Sequence, residues 1–155
     1  MEKQNIIVDE NYPGLVDDGW CFSIKGALVT KGSISITLKK WFWVEKGIKA
    51  GGGIEAGGGI KAGGGIEAGW GIEAGWGIKA GGGIKAGGGI KAGEGIEAGG
   101  GIEAGLTIFC KSLSAKFSIF AGICTWREVT AEDKLIQCEK LVSGKIGHGT
   151  LKIKP

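Results

Sequence analysis

Histidine is almost missing from this chain: His148 stands alone, so one copy cannot assemble a three-histidine metal site. Aspartate is absent between Asp18 and Asp133, which excludes calcium-binding nonapeptide repeats. Threonine is absent between Thr37 and Thr107, so the rows of Thr that bind ice cannot form there. No uninterrupted apolar run approaches the roughly 18 residues of a spanning helix, because Lys or Glu recurs every six residues through the middle of the chain. The opening MEKQNIIVDENYPG carries acids and polar groups where a secretory leader would be basic and then apolar, which points to a cytoplasmic protein with no membrane partner. None of the four cysteines forms a C-x-x-C pair.

What is abundant is glycine. It supplies 34 of 155 residues, against an ordinary share of about 7%. With 43% hydrophobic and 23% charged residues, the chain reads as one globular domain. Most of the glycines fall in residues 47–106, which align as ten copies of G-I-[KE]-A-G-x, with x being Gly, Trp, Glu or Leu. A period of six fits neither a 3.6-residue helix nor one continuous strand. Within I-[KE]-A the Ile and Ala point to one side and the charge to the other, as in a strand, and G-x-G offers residues able to turn with positive φ. Short strand, corner, short strand: the expected fold is an all-β parallel β-solenoid.

The isoleucine phase extends to Phe42, Ile36, Thr30 and Ile24 on one side and to Ile108 on the other. The expected organisation is therefore an N-terminal cap (1–23), degenerate coils (24–46), the ten repeats (47–106) and a β-rich C-terminal cap (107–155). With three hexads per coil, stacked residues lie 18 apart, and one outward row reads Lys49, Glu67, Lys85, Glu103, alternating in sign. Two hexads per coil would set Lys49 beside Lys61. Cross-strand pairs contribute about 0.2–1 kcal/mol each, so the three-sided coil is favoured.

These repeats resemble the hexapeptide-repeat, left-handed β-helix family, although here the small residue follows the aliphatic one by two places instead of preceding it. The resemblance implies a triangular prism with aliphatic residues inside. Many members of that family are acyltransferases or carbonic anhydrases, but with His148 in the tail neither activity carries over. More loosely, a compact repeat protein with idiosyncratic ends is similar to small phage and mobile-element proteins, among which anti-CRISPR and other anti-defence inhibitors are found.

Gly51-Gly52-Gly53-Ile54-Glu55-Ala56 satisfies a dinucleotide fingerprint, but the spacing leaves no room for the helix that motif needs. Cys110, Cys124 and Cys138 sit beside apolar residues and read as buried free thiols; His148 reads as a turn residue. VTAEDK (residues 129–134) reads as a turn or short helical start, with Thr130 as N-cap and Asp133 closing a loose capping box. Trp41 and Trp43 have the parity opposite to Phe42, so one of the two sets faces outward. No cofactor is expected.

Function must lie where the repeat departs from itself. Trp70 and Trp76 replace Gly at consecutive hexad tips, where they form a contact surface or pack inside or against a folded cap, and Glu94 is a third departure. Net charge by region is zero over 1–46, −1 over 47–106 and +4 over 107–155. Lys111, Lys116, Arg127 and Lys145 belong to this C-terminal basic excess, which either contacts nucleic acid or an acidic surface or is ordinary solvated surface. The expectation is a non-enzymatic protein-binding module, in its most specific form a mobile-element inhibitor that occludes a host protein or ribonucleoprotein complex. The alternative is a homo-oligomeric, self-assembling structural solenoid.

Overall fold

The computed structural model describes residues 4–155. It is a parallel β-solenoid of about seven turns. Through the repeats each strand pairs in register with the strand 18 residues on, as in Ile48↔Ile66↔Ile84↔Ile102, so one coil holds three hexads. Three ladders result. The first face starts at Ile6–Val8 and Ile34–Ile36, the second at Cys21–Ile24 and Trp41–Val44, the third at Leu28–Thr30 and Ile48–Ala50.

Alternation explains the core. The repeat isoleucines are at most 2% exposed and the repeat alanines at most 7%, while the Lys or Glu between them points to solvent. Burying one isoleucine contributes about 1.5–3 kcal/mol, and no buried polar side chain lacks a partner among the described residues. On the outside the expected charge rows meet: Lys49 lies 3.6 Å from Glu67, Lys85 3.9 Å from Glu103, Lys79 3.5 Å from Glu97 and Lys91 3.9 Å from Glu73.

The corners correct the reading of glycine. No glycine in residues 47–106 has a positive φ. The glycine after each alanine but Ala56 is instead required by close approach: a Cβ on Gly69, Gly81 or Gly99 would sit well inside contact distance of the carbonyl oxygen of Gly51, Gly63 or Gly81 in the preceding coil. At the following position the squeeze eases from Gly64 onward, where a Cβ meets its nearest neighbour at 3.3 Å, whereas one on Gly52 or Gly58 would still press on Ser33 or on the Lys40 carbonyl. That position is where the chain places Trp70, Trp76, Glu94 and Leu106.

The six-residue phase also ends earlier than expected. Phe42 takes the isoleucine place, pairing with Ile60. Ile36, Thr30 and Ile24 take the alanine place instead, opposite Ala56, Ala50 and Val44. Ile34 and Leu28 hold the isoleucine ladder there, because residues 37–40 widen one corner by two residues. Phe42 points inward at 0% exposure, so Trp41 and Trp43 lie on the outer side.

At the far end the same ladders continue. Ile108 stacks on Ile136 and Ile136 on Leu151, while Ser112–Phe120 bends around a corner to pair with both the second and the third face. Lys140–His148 follows it around the same corner. Residues 121–134 loop out between these two coils. The N-terminal end is closed by a short antiparallel pairing of Val16–Asp17 on Cys21–Ile24, with Tyr12 and Leu15 against the core. No helix of the described residues is long and apolar enough to cross a membrane.

Candidate functional site

Each corner is a column of residues joined by backbone hydrogen bonds, and the candidate residues are distributed over all three. One column runs Gly52, Trp70, Gly88, Leu106, Gly122, with Trp70 N–H donating to Gly52 O at 3.2 Å and Gly88 N–H to Trp70 O at 3.0 Å. A second runs Gly58, Trp76, Glu94, Lys111, and the third reaches Gly100 and Lys116.

The Trp70 corner is where residues 121–134 leave the solenoid, and this excursion folds back on it. The Trp126 ring lies 5.7 Å from that of Trp70, tilted by 49°, and its Nε1–H donates to Gly87 O at 3.2 Å. Arg127 stands 5.5 Å over the Trp126 ring and forks onto Asp133 through Nη1 at 2.8 Å and Nη2 at 2.9 Å. Those hydrogen bonds hold the Asp133 carboxyl well below its usual range and raise Arg127 further. Thr130 N–H also donates to Asp133 Oδ2, at 2.8 Å, and Asp133 N–H returns to Thr130 Oγ1 at 3.4 Å, the reciprocal exchange of a capping box. The single 3₁₀ turn it opens, Glu132–Lys134, has Ala131 as its N-cap, one residue later than expected. Trp70 and Trp126 nonetheless remain 58% and 53% exposed, so the pairing leaves broad indole surface in water.

At the second corner Trp76 is set edge-on to Trp41, centroids 6.4 Å apart at 66°. Glu94 accepts from Lys111 Nζ at 2.9 Å, which raises the ammonium's pKa. Trp76, Glu94 and Lys111, chosen separately from the sequence, therefore share one column. Lys116 lies over Phe117 at the third corner, 5.5 Å from its ring. Lys145, beside Ser118 on the last coil, is exposed. Lys111, Lys116 and Arg127 thus stand at three different corners.

His148 Nδ1 lies 2.7 Å from Ala121 O; a carbonyl only accepts, so this nitrogen carries the proton, in a contact that pins one coil to the next. All four cysteines are free: Cys21 and Cys138 are buried, whereas Cys110 and Cys124 are only half-buried. Burial pushes the Cys110 thiol from 9.0 up to about 12. No cluster of His, Cys, Asp or Glu able to hold a metal occurs among the described residues.

Sequence reasoning missed the partners of the two corner tryptophans. Trp126 carries no repeat signal, being in a stretch where the six-residue phase is lost, and Trp41 was marked only by parity. In the structure none of the six tryptophans belongs to the buried core, and Trp20, at 71%, is the most exposed of the large apolar residues among the described residues. Trp20, Trp41 and Trp43 line a 390 Å³ hollow on the second face together with Lys61 and Lys79. The chain matches no protein-family model, no curated protein and no solved structure.

Proposed function

We propose that this chain is a non-catalytic protein-binding module that presents aromatic corners from a rigid prism. The observation that carries the reading is that every tryptophan lies outside the core, although isoleucine and alanine fill the interior without them. Indoles held in water cost solvation, and tryptophan is the residue most enriched where protein partners bind tightly. Trp70, Trp126 and Arg127 form the leading contact set, and Trp76 with Glu94 and Lys111 a second on the adjacent corner.

In its more specific form, the reading is a phage or mobile-element inhibitor of the anti-CRISPR or anti-defence kind that occludes a host protein or ribonucleoprotein complex, within the hexapeptide-repeat β-helix tradition of presenting function on a prism. The test is capture from a bacterial lysate, with and without nuclease, read by mass spectrometry. A stoichiometric partner should survive nuclease and be lost in the Trp70→Gly, Trp126→Ala double variant. Capture unchanged in that variant would move the site away from the Trp70 corner, and a partner lost to nuclease would make the contact one with nucleic acid.

A second reading, end-to-end self-assembly, is favoured by the last coil. Lys140–His148 and Thr150–Ile153 have no strand on their far edges among the described residues, and Leu141, Ile146 and Leu151 close the core only partly. Asp9, Glu10, Asp17 and Asp18 at one end and Lys140, Lys145, Lys152 and Lys154 at the other are complementary in sign. Light scattering should then show size rising with concentration and falling with salt; a monomer at high concentration rules it out.

A further inference from the structure

Beside each ladder of inward isoleucines runs a column of the glycines that precede them, and the three columns are not equally filled. On the second face the column is Gly59, Gly77, Gly95, and the indole of Trp41 lies along it. A Cβ on Gly59 would strike the Trp41 ring, and one on Gly77 would come within 2.9 Å of Trp41 Cη2. Lys79 Nζ stands 5.9 Å over the same ring. The chain thus shows, within itself, what this channel holds: a flat aromatic ring against glycine, with a lysine above.

The third face repeats that seat without its occupant. Gly65 and Gly83 stand where Gly59 and Gly77 do, Lys85 where Lys79 does, and Gly47 where Trp41 does. What remains is an open groove of about 660 Å³ along Gly47, Gly65, Gly83 and Gly101, closed at its end by Phe117 and Phe120. Four stacked glycines at about 4.8 Å per coil give a floor roughly 14 Å long, longer than an indole. Along the rim Lys49 pairs with Glu67 and Lys85 with Glu103, so the groove has no net charge to attract an ion and suits a neutral ring. The first face is a poorer match: Glu73 replaces the lysine, and Ser33 stands at the Trp41 position with its hydroxyl accepting from Gly53 N–H at 3.1 Å.

We infer that the third-face groove is a binding site for a neutral aromatic side chain of a protein partner, seated on Gly65 and Gly83 beneath Lys85 as Trp41 is seated on Gly59 and Gly77 beneath Lys79. The inference rests on the reading of the chain as a protein-binding module and adds to it a chemistry of recognition, ring faces on glycine backbone with a cation at the rim.

The experiment is a titration of the intact chain with N-acetyltryptophanamide, followed by amide chemical shifts, with N-acetylleucinamide alongside. Saturable shifts at Gly65 and Gly83, absent with the leucine compound, are expected. Gly47→Trp supplies an internal ring to the empty seat and should weaken the response at those amides about tenfold. Trp41→Gly empties the second-face seat and should create a new response at Gly59 and Gly77, an outcome that does not depend on how well the Gly47 variant folds. Shifts that do not saturate, that appear equally with N-acetylleucinamide, or that leave Gly59 and Gly77 silent in Trp41→Gly overturn the inference. Partner capture in the lysate experiment with a silent groove would leave the binding-module reading intact and remove only this site.

Discussion

The ten regular hexads and the last two coils run the same three ladders by different means. In the middle, every strand is three or four residues long and all corners but that at Gly57 are made by glycines with ordinary φ pressed against the carbonyl of the coil before. Toward the end the strands Ser112–Phe120 and Lys140–His148 sweep through a corner with register irregularities, and Gly122, Gly144 and Gly149 turn with positive φ. One protein therefore uses glycine for two unrelated properties, absence of volume in the repeats and backbone freedom at the ends. The two are separable by substitution.

The largest effect should come from Gly69→Ala, where the new methyl overlaps Gly51 O and the coils must part. We expect loss of the cooperative thermal transition by circular dichroism, whereas Gly64→Ala, whose methyl meets Gly47 N at 3.3 Å and asks the neighbour to yield only a few tenths of an ångström, should lose far less. Equal behaviour of the two would break the close-approach account. Next, Ile78→Ala, at 0% exposure, should cost about 2–5 kcal/mol in denaturant unfolding. The matching Ile146→Ala in the half-buried last coil should cost clearly less, sharpening the contrast between a finished core and an open one. Gly14→Ala, with φ +79° and nothing within 4 Å, should cost about 1–2 kcal/mol through backbone strain alone.

Three smaller effects concern charge. The thiol of Cys110 titrates near 9.0 when unfolded and about 12 when folded, so its contribution is complete below pH 9 and is lost as pH rises toward 12. Stability measured across that alkaline window should fall less steeply in Cys110→Ala. Lys61 stacks on Lys79, a like-charge step, so Lys61→Glu should add about 0.2–1 kcal/mol at low salt and nothing at high salt. At the excursion, Asp133→Asn removes the tether on Arg127, and trypsin should cut after Arg127 several-fold faster without a change in melting temperature.

Most of the middle was legible because its code is redundant: ten Ile at a fixed spacing, alternating with charge, leave one period and one inward face, and the sign alternation along Lys49, Glu67, Lys85 and Glu103 selects three hexads per coil. The same redundancy hid why the glycines are there, since composition does not distinguish missing volume from positive φ. The widening of one corner at residues 37–40 left no trace because Ile36 and Thr30 fit the alanine place as readily as the isoleucine place. The candidate site was legible in its exposed half only. Trp70, Trp76 and Glu94 announced themselves by breaking a repeat, but Trp126 has no repeat to break, and its return to Trp70 depends on how residues 121–134 fold back.

The 18-residue register also determines how such a gene can grow or shrink. Removing three consecutive hexads takes out one whole storey, and every later residue returns to the face it had. Removing one hexad between Trp70 and Trp126 rotates everything beyond the cut by a third of a turn and carries Trp126 to a different corner from Trp70. Length variants arising by slippage within so repetitive a coding stretch would thus be tolerated in steps of eighteen residues and penalised in steps of six, a discreteness invisible in the hexad itself.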